Sequence, residues 1–328
     1  MTDAITARGF VDLQVNGVDD VDFWTADPDG WRRAGARLLA SGVTSYLPTL
    51  TTAPLTEYDA ALDRVQAAAA DARSRALPRI EGVHLEGPFL GAAPGAHPTD
   101  LIRAVDVDWL AGLVDRHPGV VRVVTLAPEA DPAFEAVAAL TARGVVVALG
   151  HSRCDYDTAL AAAAAGARLV THLFNGMAPL HHRHPGLAGA ALASPLLTPM
   201  VIADLVHVHP AVLRFALRAT SCILVTDAVA VGGHYFGQSV VARDGAAYLA
   251  DGTLTGATVT MDGAVRNACA LLDDRAAALA AAATRPASVL GLDHPGDRVV
   301  LDPDSLAVRE VHLDGERAWA STAGTGSR

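Results

Sequence analysis

The sequence predicts an α/β fold, a (β/α)8 TIM-type barrel, and three observations carry that expectation. Short apolar runs alternate with amphipathic or Ala-rich segments eight times along the chain. No glycine-rich dinucleotide turn follows any of these runs, which disfavours a flat doubly wound sheet. Six of the eight runs end in a residue able to bind metal, move a proton or donate a hydrogen bond. Strand ends on one face are where a barrel assembles its chemistry.

Taken in order, strand one is expected over residues 10–15 and a helix near 29–40. Strand two follows at 43–47, a helix at 55–75, and strand three at 80–85. A Gly- and Pro-rich loop leads to a helix near 107–115, strand four at 120–126 and a helix at 132–142. Strand five (145–149) ends in Gly150-His151, and an Ala-rich helix leads to strand six, Leu169 and Val170, which ends in Thr171-His172. Strand seven is expected at 200–205, a helix at 210–219 with Pro in its first turn, and strand eight at 222–226. The barrel is read over residues 8–292, with a short C-terminal β segment and tail over 293–328, a reduced or remodelled small β appendage.

Composition narrows the function classes. A chain of 328 residues, 51% hydrophobic, suffices for a large core. Its net charge of −11 argues against nucleic acid and against an anionic membrane surface as partners. No apolar stretch is long enough to span a bilayer, and MTDAITARGF lacks the regions of a signal peptide. Cys154, Cys222 and Cys269 are scattered and odd in number, so the reducing cytoplasm is expected. All 25 basic residues are arginine. Schiff-base chemistry, a Walker-type phosphate loop and a carbamylated-lysine metal bridge are thereby excluded.

The strand ends carry Gln14 and Asn16, Glu86, His151, His172, His207 and Asp227. Each alone has a bland reading: Glu86 as a cap at Gly87-Pro88, His207 as core, Asp227 as a helix cap. Jointly they point to a metal-dependent active site, since neutral imidazole is the commonest metal ligand.

The motifs HLEGPF (84–89), GHS (150–152), THLFNGM (171–177), RHPGLAG (183–189), TDA (226–228) and DGTLTGATVTM (251–261) resemble the N-acetylglucosamine-6-phosphate deacetylase family of the amidohydrolase superfamily. The resemblance implies metal ligands Glu86, His151 and His172, a catalytic acid/base at Asp227 and a substrate-contacting His207. It further implies a phosphate-binding Arg183, a sugar-holding loop at Asn175 and Gly176, with Gly176 in place of a more usual alanine, a substrate-site His97, and a homodimer.

The chemistry of these residues agrees. Two imidazoles and a carboxylate leave an open position on a tetrahedral zinc. Asp227 is placed to take a proton from water and deliver it to the departing amine, and His207 or the metal to stabilise an oxyanion. Strand one carries DLQVNG rather than His-x-His, so one divalent ion, Zn2+, is expected, with Gln14 and Asn16 as hydrogen-bonding residues.

Three departures from the family stand out: the short start and tail imply a reduced small β domain, and the other two, near the expected mouth, would weaken binding of a phosphate dianion. Asp19 and Asp20 stand where glycines are usual. Pro94 replaces a basic residue, and segment 229–236 and the tail look short. The function expected is a metal-dependent deacetylase acting on an N-acetylated amino-sugar phosphate, a small-molecule substrate. The alternatives are an amidohydrolase acting on an unphosphorylated N-acyl amino sugar or other small amide, and a non-catalytic binding paralogue.

Overall fold

A computed structural model of the chain describes residues 4–322. Eight parallel strands form the barrel: Phe10–Val15, Val43–Leu50, Val83–Glu86, Val121–Leu126, Val146–Leu149, Leu169–Val170, Thr198–Ile202 and Ile223–Val225. They neighbour one another in chain order, and Arg79–Ile80 pairs beside strand two. Strand eight meets strand one through a parallel bridge, Val15 to Ala228. Backbone bonds from Asp227 N to Gln14 O (2.9 Å) and from Asn16 N to Ala228 O (2.7 Å) complete the seam.

Alternation along the strands sorts side chains into two cores. Val11 and Leu13 join Leu47, Val123, Leu169, Met200 and Ile223 inside the ring. Phe10, Val124, Val147, Val170 and Leu224 pack instead with the helices. This double burial explains why the strands read as mostly apolar runs without a clean polar alternation. A polar staple crosses the seam within the buried interior. Asp12, fully buried, accepts from Thr226 Oγ1 at 2.6 Å and from the backbone N–H groups of Thr226 and Gln14 at 3.2 Å. Burial pushes its carboxyl up to about 7, against those hydrogen bonds.

Helices Pro28–Ala40, Val107–Arg116 and Tyr156–Ala165 begin where Asp27, Asp106 and Asp155 accept from the N–H three residues on. Such caps contribute roughly 1 kcal/mol each. The helix expected at 55–75 starts as a 3-10 turn, Leu55–Glu57, before Tyr58–Arg73. Strand seven stops at Ile202, short of the expected residue 205. Asp204 Oδ1 captures the N–H groups of Val206 and His207, both at 2.9 Å, and Leu205 sits at φ 67°. The backbone donors a longer strand would use are already taken.

Beyond strand eight the chain holds elements absent from the sequence reading. Segment 229–236 enters an antiparallel sheet of His234–Tyr235, Gln238–Arg243, Ala246–Leu249 and Leu254–Ala257. Helices Met261–Leu272, Arg275–Ala282 and Thr284–Leu290 follow. A second antiparallel sheet pairs Ile5–Arg8, ahead of the barrel, with Arg298–Leu301, then Val308–Leu313 and Glu316–Ala320. Among the described residues no helix is long and apolar enough to cross a membrane, and the three cysteines are free.

Candidate metal centre and active site

The strand ends converge on a pocket of about 200 Å3. Its floor is Glu86, with His151 Nε2 3.0 Å and His172 Nε2 2.9 Å from Glu86 Oε1, and the two Nε2 atoms 3.1 Å apart. All three side chains are buried. Each imidazole is oriented from behind: His151 Nδ1 donates to the Ala93 carbonyl and His172 Nδ1 to the Asn175 carbonyl, both at 3.1 Å. A carbonyl only accepts, so the Nδ1 atoms carry the protons and the neutral rings present bare Nε2 lone pairs. Three electron-pair donors therefore crowd one point, an arrangement that a cation relieves.

A proton alone is a poor substitute. Burial opposes charging His172, yet the hydrogen bond and charge of Glu86 outweigh it and raise the group to about 9. Burial likewise opposes ionising Glu86, but the two histidines hold it well below the usual carboxylate range. One proton on His172 would still leave His151 Nε2 facing Glu86 Oε1 lone pair to lone pair. The donor set fits a divalent metal better.

His97 offers a second grouping, since suitable atoms of Glu86, His97 and His151 lie within 4.8 Å of one another. Its Nε2 is 3.9 Å from Glu86 Oε2, while its Nδ1 lies 2.8 Å from Thr52 Oγ1. The tighter trio sharing Oε1 is the better donor set, with His97 at its flank. Burial and the neighbouring His151 push His97 down to about 3, so it stays neutral.

Asp227, 9% exposed, lines the same pocket. Burial, then the charge of Glu86, lifts its carboxyl to about 6. Asn16 Nδ2 donates to its Oδ1 at 2.7 Å. Behind it, a Cβ on Gly256 would lie 2.2 Å from the Asp227 carbonyl oxygen, so only glycine fits there. His151, His172 and Asp227 all adopt left-handed backbone, at φ 49°, 30° and 50°. Such conformations are costly for residues with a Cβ and recur at functional sites.

Other expected residues are placed differently. Gln14 is fully buried behind the pocket, where its Nε2 donates to Glu86 Oε1 at 3.1 Å. Asn175 and Gly176 line the pocket. Gly176 has φ 57°, and a Cβ there would lie 2.8 Å from His151 Nδ1, which makes glycine the fitting residue against this imidazole. His207 also lines the pocket, its Nδ1 2.6 Å from Asp204 Oδ2 and its Nε2 3.0 Å from the Thr255 carbonyl. Arg183 does not reach the pocket. It lies exposed on a loop where His181 and His184 form an antiparallel bridge.

The sequence reading passed over Asp204, Thr255, Tyr235 and Phe236. Asp204 stood in the ADLVH motif, and its spacing of three from His207 was the available signal.

Known proteins resemble the chain over nearly its full length. No family model matches the chain. The N-acetylglucosamine-6-phosphate deacetylase of Bos taurus is 40% identical over 96% of this chain and 83% of its own. The N-acetylgalactosamine-6-phosphate deacetylase of Escherichia coli O157:H7 is 35% identical over 94% and 86%. The chain belongs to the N-acetylglucosamine-6-phosphate deacetylase family. A solved member from Mycobacterium smegmatis, an aspartate-to-alanine mutant in complex with N-acetyl-D-glucosamine-6-phosphate, superposes with a TM-score of 0.86 at 36% identity, covering 96% of this chain and 87% of that one. A β-aspartyl dipeptidase from Fervidobacterium islandicum shares the fold at 14% identity, with a TM-score of 0.60 over 97% and 85% of the two chains.

Asp19 and Asp20, noted in the sequence, do not line the pocket. Asp20 pairs with Arg33 at 3.1 Å and Asp19 lies 3.7 Å from Arg37, both on the first helix. Each carboxylate is thus met by an arginine of that helix, away from the pocket.

Proposed function

We propose that this chain is a metal-dependent deacetylase that hydrolyses the N-acetyl group of an amino-sugar 6-phosphate to the free amine and acetate. The observation that carries the reading is the convergence of Glu86 Oε1, His151 Nε2 and His172 Nε2 within 3.1 Å beside the buried Asp227. Glu86, His151 and His172 would hold one divalent ion, Zn2+ being one that two imidazoles and a carboxylate suit. Bound there, it would polarise the amide carbonyl and lower the pKa of water.

The chain's own groups do the rest. Asp227, kept in place by Asn16, accepts the proton of the attacking water and returns it to the amine nitrogen as the C–N bond breaks. His207, oriented by Asp204, offers an N–H to the oxyanion once a substrate displaces the Thr255 carbonyl from it. Asn175 and Gly176 would hold the sugar. Arg183, exposed and without a carboxylate partner among the described residues, supports a phosphate contact at the rim, because its planar fork matches phosphate geometry.

A homodimer in the cytoplasm completes the reading. Val212 and Phe215, three apart on helix Pro210–Ala219 and 40% and 55% exposed, support an interface there.

The test is acetate release from the 6-phosphates of N-acetylglucosamine and N-acetylgalactosamine and from the unphosphorylated sugars, with metal content measured on the same sample. Preference for the unphosphorylated sugars would favour the alternative amidohydrolase activity. Full activity in metal-free protein would overturn the metal assignment.

A further inference from the structure

The hairpin formed by His234–Tyr235 and Gln238–Arg243 brings two aromatic rings to the pocket, and the chemistry described so far does not use them. Phe236 and Gly237 turn the hairpin with φ of 53° and 77°, which fixes the direction of the tip. Tyr235 is buried, its hydroxyl hydrogen-bonded to Thr51 at the end of strand two. Phe236 lies 4.1 Å from the Tyr235 ring and 5.2 Å from the His97 ring.

The pocket lining divides by polarity. Asn16, Asp227, Asn175 and His207 present polar groups, whereas Tyr235 and Phe236 belong to an apolar cluster with Ala96. The two aromatic rings also line another cavity of about 370 Å3, whose walls include Trp24, Ala53, Pro54 and Leu101 and the charged Asp22, Glu57 and Arg64. Tyr235 and Phe236 line both spaces. The pair is thus a partition between a small polar pocket and a larger, partly apolar one.

We propose that Tyr235 and Phe236 are the wall that receives the methyl of the N-acyl group and limits that group to acetyl size. This rests on the deacetylase reading above and deepens it. An N-acetyl group has a polar end, the carbonyl, and an apolar end, the methyl. The carbonyl belongs with the buried Glu86, His151 and His172, and the methyl belongs against the aromatic pair. A longer acyl chain would meet the ring of Phe236, and with that ring removed it would extend into the 370 Å3 cavity.

The experiment compares wild type, Phe236→Ala and the milder Phe236→Leu on N-acetyl- and N-butanoyl-glucosamine 6-phosphate, reading kcat/KM for each. Wild type should favour acetyl. A single methylene shifts discrimination in an apolar site by about 10–200-fold, so Phe236→Ala should raise the butanoyl-to-acetyl ratio by about tenfold or more, and Phe236→Leu by less. Calorimetric Kd values for the two uncleaved sugars, taken in the Asp227→Asn background with and without Phe236→Ala, should shift the same way. Unchanged ratios in the folded variants, or a wild type that treats both sugars alike, overturn the wall. Absence of acetate release by wild type overturns the deacetylase reading instead.

Discussion

Asn16 donates its side-chain amide to Asp227 Oδ1 at 2.7 Å, while its own Oδ1 is buried without a hydrogen-bond partner among the described residues. Asn16 is therefore held for what it donates. A donor stabilises the ionised carboxylate and so lowers its pKa, offsetting part of the rise that burial causes.

A pH profile tests this relationship. Asp227 works as a base when ionised, so kcat/KM should climb with pH through a midpoint at or below about 6, the cation's charge moving it down. Asn16→Leu removes the donor, raises the Asp227 pKa and should move that acid limb to higher pH. A limb that stays in place means that Asn16 does not tune Asp227.

Asp227→Asn should keep the metal and the substrate affinity while turnover falls about 10²–10⁴-fold, the usual worth of a general acid/base. Zinc content by mass spectrometry beside single-turnover rates checks both halves. Near-normal turnover would transfer the role to His207.

His172→Ala should strip most of the metal and nearly all hydrolysis, because two of three donors remain and Glu86 loses the partner 2.9 Å away. A variant that retains stoichiometric zinc at full rate contradicts the ligand set.

Arg183→Ala should raise KM for a 6-phosphate sugar and leave an unphosphorylated analogue nearly unaffected. A charge-assisted hydrogen bond contributes about 1.5–3 kcal/mol. Equal effects on both sugars would make Arg183 a general surface cation instead of a phosphate contact.

Gly256→Ala should destabilise the fold by about 1–3 kcal/mol, the range for overpacking, and slow turnover as well. The added Cβ would lie 2.2 Å from the backbone oxygen of Asp227, and backbone cannot swing aside as a side-chain tip does. Urea midpoints and initial rates measure the two effects; an unshifted midpoint would show that the loop yields freely.

Glu86, His151, His172 and Asp227 were legible because a parallel barrel fixes where strand ends go, so linear position translates into shared space. The barrel itself was legible for a related reason: strands buried on both faces are largely apolar, as Ile223–Val225 is throughout. Asp204 was not, since the expected strand ran through it to residue 205; past Ile202, where the strand ends, its Oδ1 captures two backbone N–H groups. Tyr235 and Phe236 were hidden for another reason. They arrive on an antiparallel hairpin inserted after the last strand, and no periodicity within the barrel indicates where such a hairpin folds back. The sign of the field at the mouth was likewise unreadable, because Asp19 and Asp20 are matched by Arg33 and Arg37 through helix placement.

His151, His172 and Asp227 all hold left-handed backbone that residues with a Cβ adopt at a cost of about 1–3 kcal/mol each. The torsional burden thus falls on the same three positions to which the proposed function assigns metal binding and proton transfer. Glycine at any of the three would relieve the torsion but empty a buried position, so stability and the proposed chemistry compete for the same three side chains.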